Sequence, residues 1–290
     1  MSTPPHLSSP RLHRSPPELV DDLIAEILLR LPPRKPERLI RCSAVCKSWR
    51  LLLTDPAFLR RYREFHGVAP MLGVLFNLDL PRIRFVWRFV PTTPFRPRTL
   101  EQGRCFVRDA RHGRVLLRDL TFEDDNELFV WNPVTDERWG LPLPVVPYWW
   151  GWGWNATVLC AAAVCQGGGG SGECDHLNCH RGPFLVAFMG TNEDGATCAC
   201  VYSSETAGWS DPTYAEHPDG IAEFDMQPST LVGSMVYFLA KDSMTIVEYD
   251  WRRKLAFVDP PFQYHGRGVL MPAMGGGLGF AGVRESCLYL

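Results

Sequence analysis

The sequence predicts an α+β chain of two unlike modules, three short N-terminal helices followed by a larger all-β region with a propeller-like repeat. Three observations predict it. Apolar residues up to about residue 66 recur at helical spacing, short β-like runs replace them from residue 67 on, and a two-strand phrase recurs within that second part. We therefore expect a disordered polar tail over 1–15, a helical module with its connector over 16–66, and a β-rich domain over 67–290.

The first helix follows from Leu19, Leu23, Ile27 and Leu31, which stand four apart, with Val20, Ile24 and Leu28 in the neighbouring row. Together they form a broad apolar face on a helix of about 15 residues. Ser15 with Glu18 three residues on has the form of a capping box, and Pro16 and Pro17 fall where no amide donor is needed. Leu31-Pro32-Pro33 stops the helix, because proline clashes with the preceding turn and drives the residue before it out of the helical region. Pro36-Glu37 restarts a helix whose apolar side is Leu39, Ile40, Cys42 and Ser43, leading into Val45, Cys46, Trp49, Leu52 and Leu53. Asp55-Pro56 is a turn and an N-cap, and a basic helical connector follows over 57–65.

Beyond this point the β-like runs fall at 71–76, 83–90, 114–117, 128–131, 156–164, 184–189, 198–202, 235–239, 245–249 and 255–258, separated by Gly, Pro and Asp. No long helical period interrupts them, which disfavours a parallel sheet built with crossover helices. His112 to Leu117 followed by Leu128 to Pro133 has the same form as Val232 to Phe238 followed by Thr245 to Asp250: glycine, strand, polar gap, strand, aromatic, Asn/Asp turn. A looser copy runs from Pro183 through Tyr202 to Trp209. Repeated hairpins of this kind suit propeller blades, with a plain β-sandwich as the alternative.

Composition bounds the function. With 46% apolar and 21% charged residues, the chain buries one or more cores, and its length allows one to three domains. Met1 to Ser15 lacks the apolar run of a signal peptide, and no stretch is long and apolar enough to span a bilayer, so a cytoplasmic or nuclear protein is expected. The ten cysteines are then expected to be free thiols, with Cys42, Cys46, Cys160, Cys198 and Cys200 as small buried hydrophobes. Residues 1–66 hold 12 Lys/Arg against 7 Asp/Glu, leaving 18 against 25 beyond. The basic head suits an acidic protein partner or nucleic acid, and charge alone does not choose between them.

The run Leu19-Val20-Asp21-Asp22-Leu23-Ile24-Ala25-Glu26-Ile27-Leu28-Leu29-Arg30-Leu31-Pro32-Pro33, continued by Leu39 to Arg50 with its Val45-Cys46-Lys47-Ser48-Trp49, closely resembles the F-box, departing from it at Val20, where that family has proline. Asp109 to Leu117, Val130 to Thr135, Val201 to Glu205 and Gly276 to Ala281 resemble the F-box-associated β domain of a plant group abundant in grasses. The resemblance implies a substrate-recognition adaptor of an SCF-type cullin-RING ubiquitin ligase. Its head would dock on the ligase's small adaptor protein, and through it a cullin, while the β domain binds a protein substrate. Leu19, Val20, Leu23, Ile27, Leu28, Leu31, Pro32, Leu39, Val45, Cys46 and Trp49 would divide between adaptor interface and core, with Trp49 as an internal plug. A head this small cannot bury both faces of its helices, which leaves apolar positions for a partner.

The resemblance implies no catalytic residue, cofactor, metal, nucleic acid or membrane partner. There is no Gly-x-Ser-x-Gly elbow or phosphate-binding loop, and Asp124, Asp125, His217 and Asp219 sit in turn-like contexts that read as solvated loops. Cys174-Asp175-His176-Leu177-Asn178-Cys179-His180 concentrates zinc-type ligands, but neighbours in one run cannot surround an ion without help from other segments, so a polar loop is the better reading. The Trp149-Trp150-Gly151-Trp152-Gly153-Trp154 cluster is read as indoles alternating into a core rather than a ligand platform. Two rivals remain. In one, Arg34, Lys35, Arg38, Arg41, Lys47 and Arg50 contact nucleic-acid phosphates, although Asp21, Asp22, Glu26 and Glu37 interrupt that patch. In the other, the F-box fold persists as a decoy without ligase activity.

Overall fold

The computed structural model describes residues 20–67, 70–80, 83–98, 105–120, 128–142, 144, 153–161, 176, 179–192, 194–217, 223–224, 227–241, 245–251, 254–260, 268–284 and 287–289. Among these the chain divides into two compact units, one running to Leu72 and including Thr92–Pro94, the other holding the remainder. Among the described residues no helix is long and apolar enough to cross a membrane.

The described residues of the first unit form four helices, α1 (Asp21–Leu29), α2 (Pro36–Ser43), α3 (Lys47–Thr54) and α4 (Pro56–His66). α1 is shorter than the apolar periodicity suggests. Val20 is its N-cap in an extended conformation, and no side chain caps it, so Asp21 and Asp22 in the first turn face the positive end of the helix dipole. The capping box at Ser15 to Glu18 lies outside the described residues. Arg30 closes the helix ahead of Pro32 and Pro33. α3 is capped by Cys46, whose sulfur accepts from the Trp49 amide, and α4 by Asp55, whose carboxylate accepts from the Ala57 amide. α4 is a full member of the unit rather than a connector. Its Phe58 is buried with Leu28 and Leu29, and its Tyr62 packs on the same core and donates to the Leu31 carbonyl at 2.6 Å.

Among the described residues the second unit is built of strands apart from one short 3-10 turn, Cys179–Arg181, and every pairing is antiparallel. A hairpin, β1 (Gly73–Leu80) with β2 (Ile83–Pro91), precedes a four-stranded meander of β3 (Cys105–Arg111), β4 (Arg114–Asp119), β5 (Leu128–Trp131) and β6 (Arg138–Leu141). A second meander holds β7 (Trp154–Cys160), β8 (Phe184–Thr191), β9 (Ala196–Ser203) and β10 (Gly208–Trp209), with β11 (Thr213–Glu216) continuing along the same edge of β9. A third holds β12 (Thr230–Val232), β13 (Met235–Leu239), β14 (Ile246–Asp250) and β15 (Lys254–Val258). A final sheet has β16 (Gly268–Pro272), β17 (Leu278–Arg284) and β18 (Cys287–Tyr289). The recurring phrase in the sequence is the second and third strands of a meander: β4–β5, β13–β14 and, in the looser copy, β8–β9.

These sheets meet face to face in chain order. Trp87 joins Cys105, Val115, Leu117 and Trp131 between the hairpin and the first meander. Leu116, Leu128 and Val130 meet Val158, Phe184, Val186 and Phe188 between the first and second. Leu185, Ala187 and Met189 meet Val236, Phe238 and Tyr249 between the second and third. Alternate residues of β8 therefore serve two different cores. That is why it reads as an unbroken apolar run, the pattern of a strand covered on both faces. A two-sheet sandwich does not describe this arrangement.

The sequence reading misses β3 because its alternation breaks at a bulge between Val107 and Asp109. Asn77 of β1 satisfies the backbone there, donating to the Val107 carbonyl and accepting from its amide at 2.9 and 2.8 Å. Arg108 lies buried with its guanidinium 3.9 Å from the Trp154 ring centre, and Trp154 stacks on Phe188 at 5.3 Å. Trp154 is thus a core residue, and Trp149, Trp150 and Trp152 lie outside the described residues. The Asp109 carboxylate accepts from the Arg111 Nε at 2.9 Å, the Val158 amide at 3.0 Å and the Thr157 hydroxyl, tying β3 to β7.

Two further expectations change. His217 is buried, not solvated, with Nε2 2.9 Å from the Thr245 hydroxyl and its ring edge-on to Phe257. Asp124, Asp125 and Asp219 lie outside the described residues. Among the described cysteines all thiols are free, but Cys46 is exposed and Cys42 only half-buried. Burial pushes the Cys198 and Cys200 thiols up to about 11 and about 12.

Asp109→Ala strands the Thr157 hydroxyl, the Val158 amide and a mostly buried guanidinium at once, so a loss of about 3–5 kcal/mol is expected. Asp109→Asn, which keeps an acceptor, loses less. Urea unfolding followed by tryptophan fluorescence checks both.

Candidate partner-binding surface of the helical unit

The unit's own core takes one side of each helix. On α1, Leu28 and Leu29 are 1% and 3% exposed, and Ile24 and Ala25 pack beside them with Leu31, Cys42, Trp49, Leu52, Leu53 and Tyr62. The other side of α1 carries Val20, Leu23 and Ile27, exposed at 64%, 53% and 52%. Their spacing of three and then four residues puts them in one stripe along the helix. Ile40, Val45 and Leu51 are also more than half exposed, on or beside α2 and α3, as is Phe65 on α4.

Apolar side chains in such number on one small unit are the feature that calls for a partner, since single exposed hydrophobes are ordinary and aligned ones are not. Salt links brace the stripe from the side. Glu26 pairs with Arg30 one turn on, at 2.9 Å, and with Arg61 of α4. At the other end of α1, His66 Nε2 lies 2.8 Å from the Leu29 carbonyl, so α4 holds α1 at two levels. These surface pairs fix geometry more than they stabilise.

The residues expected to carry docking therefore separate. Val20, Leu23, Ile27, Val45 and Cys46 are exposed; Pro32 and Leu39 are half-buried; Leu31 and Trp49 pack against the core; Leu28 is inside it. Leu19 lies outside the described residues. Ile40 and Leu51 were not separated from their buried neighbours by the sequence, because Leu39-Ile40 and Leu51-Leu52-Leu53 are continuous apolar runs whose members only the helix register tells apart. Arg34, Lys35, Arg38, Arg41, Lys47 and Arg50 are all exposed, with exposed Asp21, Asp22 and Glu37 on the same unit. The histidine and cysteine side chains that cluster among the described residues, His112, His176 and Cys179, lie in the β unit.

Residues 17–61 match the family model of the F-box domain, a span from before α1 to the middle of α4. No curated protein matches the chain.

Leu28→Ala empties a closed site in the helical core and should cost about 2–5 kcal/mol, whereas Leu23→Ala, on the exposed stripe, should change stability by no more than about 0.5 kcal/mol. The loss of helical circular dichroism in urea separates the two.

Proposed function

We propose that the chain is a substrate-recruiting adaptor of an SCF-type cullin-RING ubiquitin ligase. The observation that carries this reading is the exposed Val20–Leu23–Ile27 stripe lying within the segment that matches an F-box domain. F-box domains bind a small adaptor protein that links them to a cullin, and an apolar helix stripe beside a tightly packed core is what such docking needs: the core sets the geometry and the stripe supplies the buried area. Val20, Leu23 and Ile27 are the contacts we assign to the adaptor, with Val45 and Ile40 as candidates on the neighbouring helices. Leu28 and Trp49 act through the fold.

In this reading the β unit presents the substrate, and its serial meanders form a propeller-like body of the kind associated with F-boxes in plants. The order of strands within each sheet, first to last along the edge, and the face-to-face contact of successive sheets favour that architecture. The chain supplies no chemistry of its own. It lowers the barrier to ubiquitin transfer by holding the substrate near the charged carrier, which converts a bimolecular encounter into a local one. Its place is the cytosol or nucleus, where the ligase works.

Co-expression of the full chain with the ligase's small adaptor protein tests this. A stoichiometric complex is expected for the native sequence, with affinity reduced at least about tenfold, or about 1.4 kcal/mol, in Leu23→Asp/Ile27→Asp. No complex from folded protein, or one indifferent to the double substitution, rules the docking out and leaves the decoy reading. Binding to duplex DNA that falls steeply with salt would instead favour the basic residues of α2 and α3 as a phosphate-contacting surface.

A further inference from the structure

Outside the helical unit, one group of side chains among the described residues has the chemistry of a site. His112, His176 and Cys179 each offer a ligand atom, and these atoms all lie within 4.8 Å of one another. They come from two distant stretches of sequence. His112 sits with Gly113 in the tight turn joining β3 to β4, and His176 and Cys179 lie just before and within the short 3-10 turn Cys179–Arg181. The sequence reading sets a metal aside because ligands from one run cannot surround an ion. The fold supplies the missing segment.

We propose that His112, His176 and Cys179 bind a zinc-class divalent cation through two imidazole nitrogens and one sulfur, with water or another donor completing a tetrahedron. His176 and Cys179 have the two-residue spacing of zinc knuckles. Their ligand atoms, Nδ1 and Sγ, are 3.7 Å apart, against about 3.6 Å for N and S ligands at ordinary bond lengths on a tetrahedral ion. The His112 and His176 rings stack with centres 3.9 Å apart, which keeps their ligand nitrogens side by side at the cluster.

The His112 Nε2 is buried and has no hydrogen-bond partner, which is costly for an imidazole and is resolved by a metal bond.

Nearby cations do not forbid the ion. The charge of Arg111 is taken up by Asp109 at 2.9 Å. Arg114 donates to the Cys179 carbonyl at 2.6 Å and to the Gly182 carbonyl, so its guanidinium is held by the backbone that carries Cys179. Asn132 Nδ2 donates to the His180 carbonyl at 3.3 Å. The 179–182 backbone is thus anchored to β4 and to the end of β5, and Cys179 is set in place before any ion arrives. A Cβ at Gly113 would meet the His180 side chain at 2.9 Å, so glycine there lets the two segments close on each other.

The test is elemental analysis of the full chain purified without a histidine tag and dialysed against limiting zinc, followed by replacement with cobalt, whose thiolate charge-transfer absorption reports a sulfur ligand. One equivalent of zinc and a thiolate band are expected. Cys179→Ser should abolish the band, and His176→Ala, a change in a bend outside every sheet, should weaken zinc binding at least about tenfold with the β-sheet circular dichroism unchanged. Cys46→Ser, in the helical unit, should leave both readouts as in the native chain. A folded native chain that takes up no stoichiometric zinc overturns the site. So does a thiolate band that survives Cys179→Ser, or zinc affinity unmoved by His176→Ala.

Discussion

The β unit depends on a single buried carboxylate. Asp109 sits just past a bulge in β3, and its oxygens take hydrogen bonds from Arg111 in its own strand and from Thr157 and Val158 in β7. Two adjacent sheets are thereby joined by a charge rather than by a ladder. A carboxylate in that position is stable only while each donor is present, so the bulge, the arginine two residues on and the threonine of the next sheet form one interdependent set. Arg111 extends the set by donating to the hydroxyl and carbonyl of Ser229, just before β12, bringing the first strand of a third sheet into the same network.

Much of this was visible in the sequence where burial follows a simple period. β5, β8 and β13 appeared as apolar or alternating runs because their side chains pack on one or both faces of a regular strand. The repeated glycine–strand–gap–strand phrase corresponds to real hairpins, with His112-Gly113 and Gly233 in left-handed turns before β4 and β13. β3 was hidden for a physical reason. Cys105-Phe106-Val107-Arg108-Asp109-Ala110-Arg111 carries three charged residues; Asp109 and Arg111 pair within the strand, but Trp154 on Arg108 and the Thr157 and Val158 donors to Asp109 come from another sheet, and no local pattern announces such partners. The same limit applied to His217, which looks like a loop residue until Thr245 and Phe257 are placed beside it.

In the helical unit the periodicity located the helices but not their orientation. Val20, Leu23, Ile24, Ile27 and Leu28 are equally apolar, and α1 has to present some of them outward because four short helices enclose too little volume to cover all. Which ones are covered was decided by α4, the segment read as a connector, whose Phe58 and Tyr62 claim the Leu28 side. The apolar surplus that remains is a property of size as much as of any particular residue.

The sheets also set an order of assembly. Within each sheet most neighbouring strands are consecutive in the chain and joined by a short connection, so most of the ladder closes between segments close in sequence, where little chain entropy is lost. The exception is β7 with β8, whose facing ends, Cys160 and Phe184, are separated by residues 161–183. As the chain is synthesised, β7 must wait for that stretch to pass before it can pair, although its other neighbour, β3, has already been made. The carboxylate of Asp109, reaching Thr157 and Val158, holds β7 against the earlier sheet by contacts that do not involve its ladder with β8.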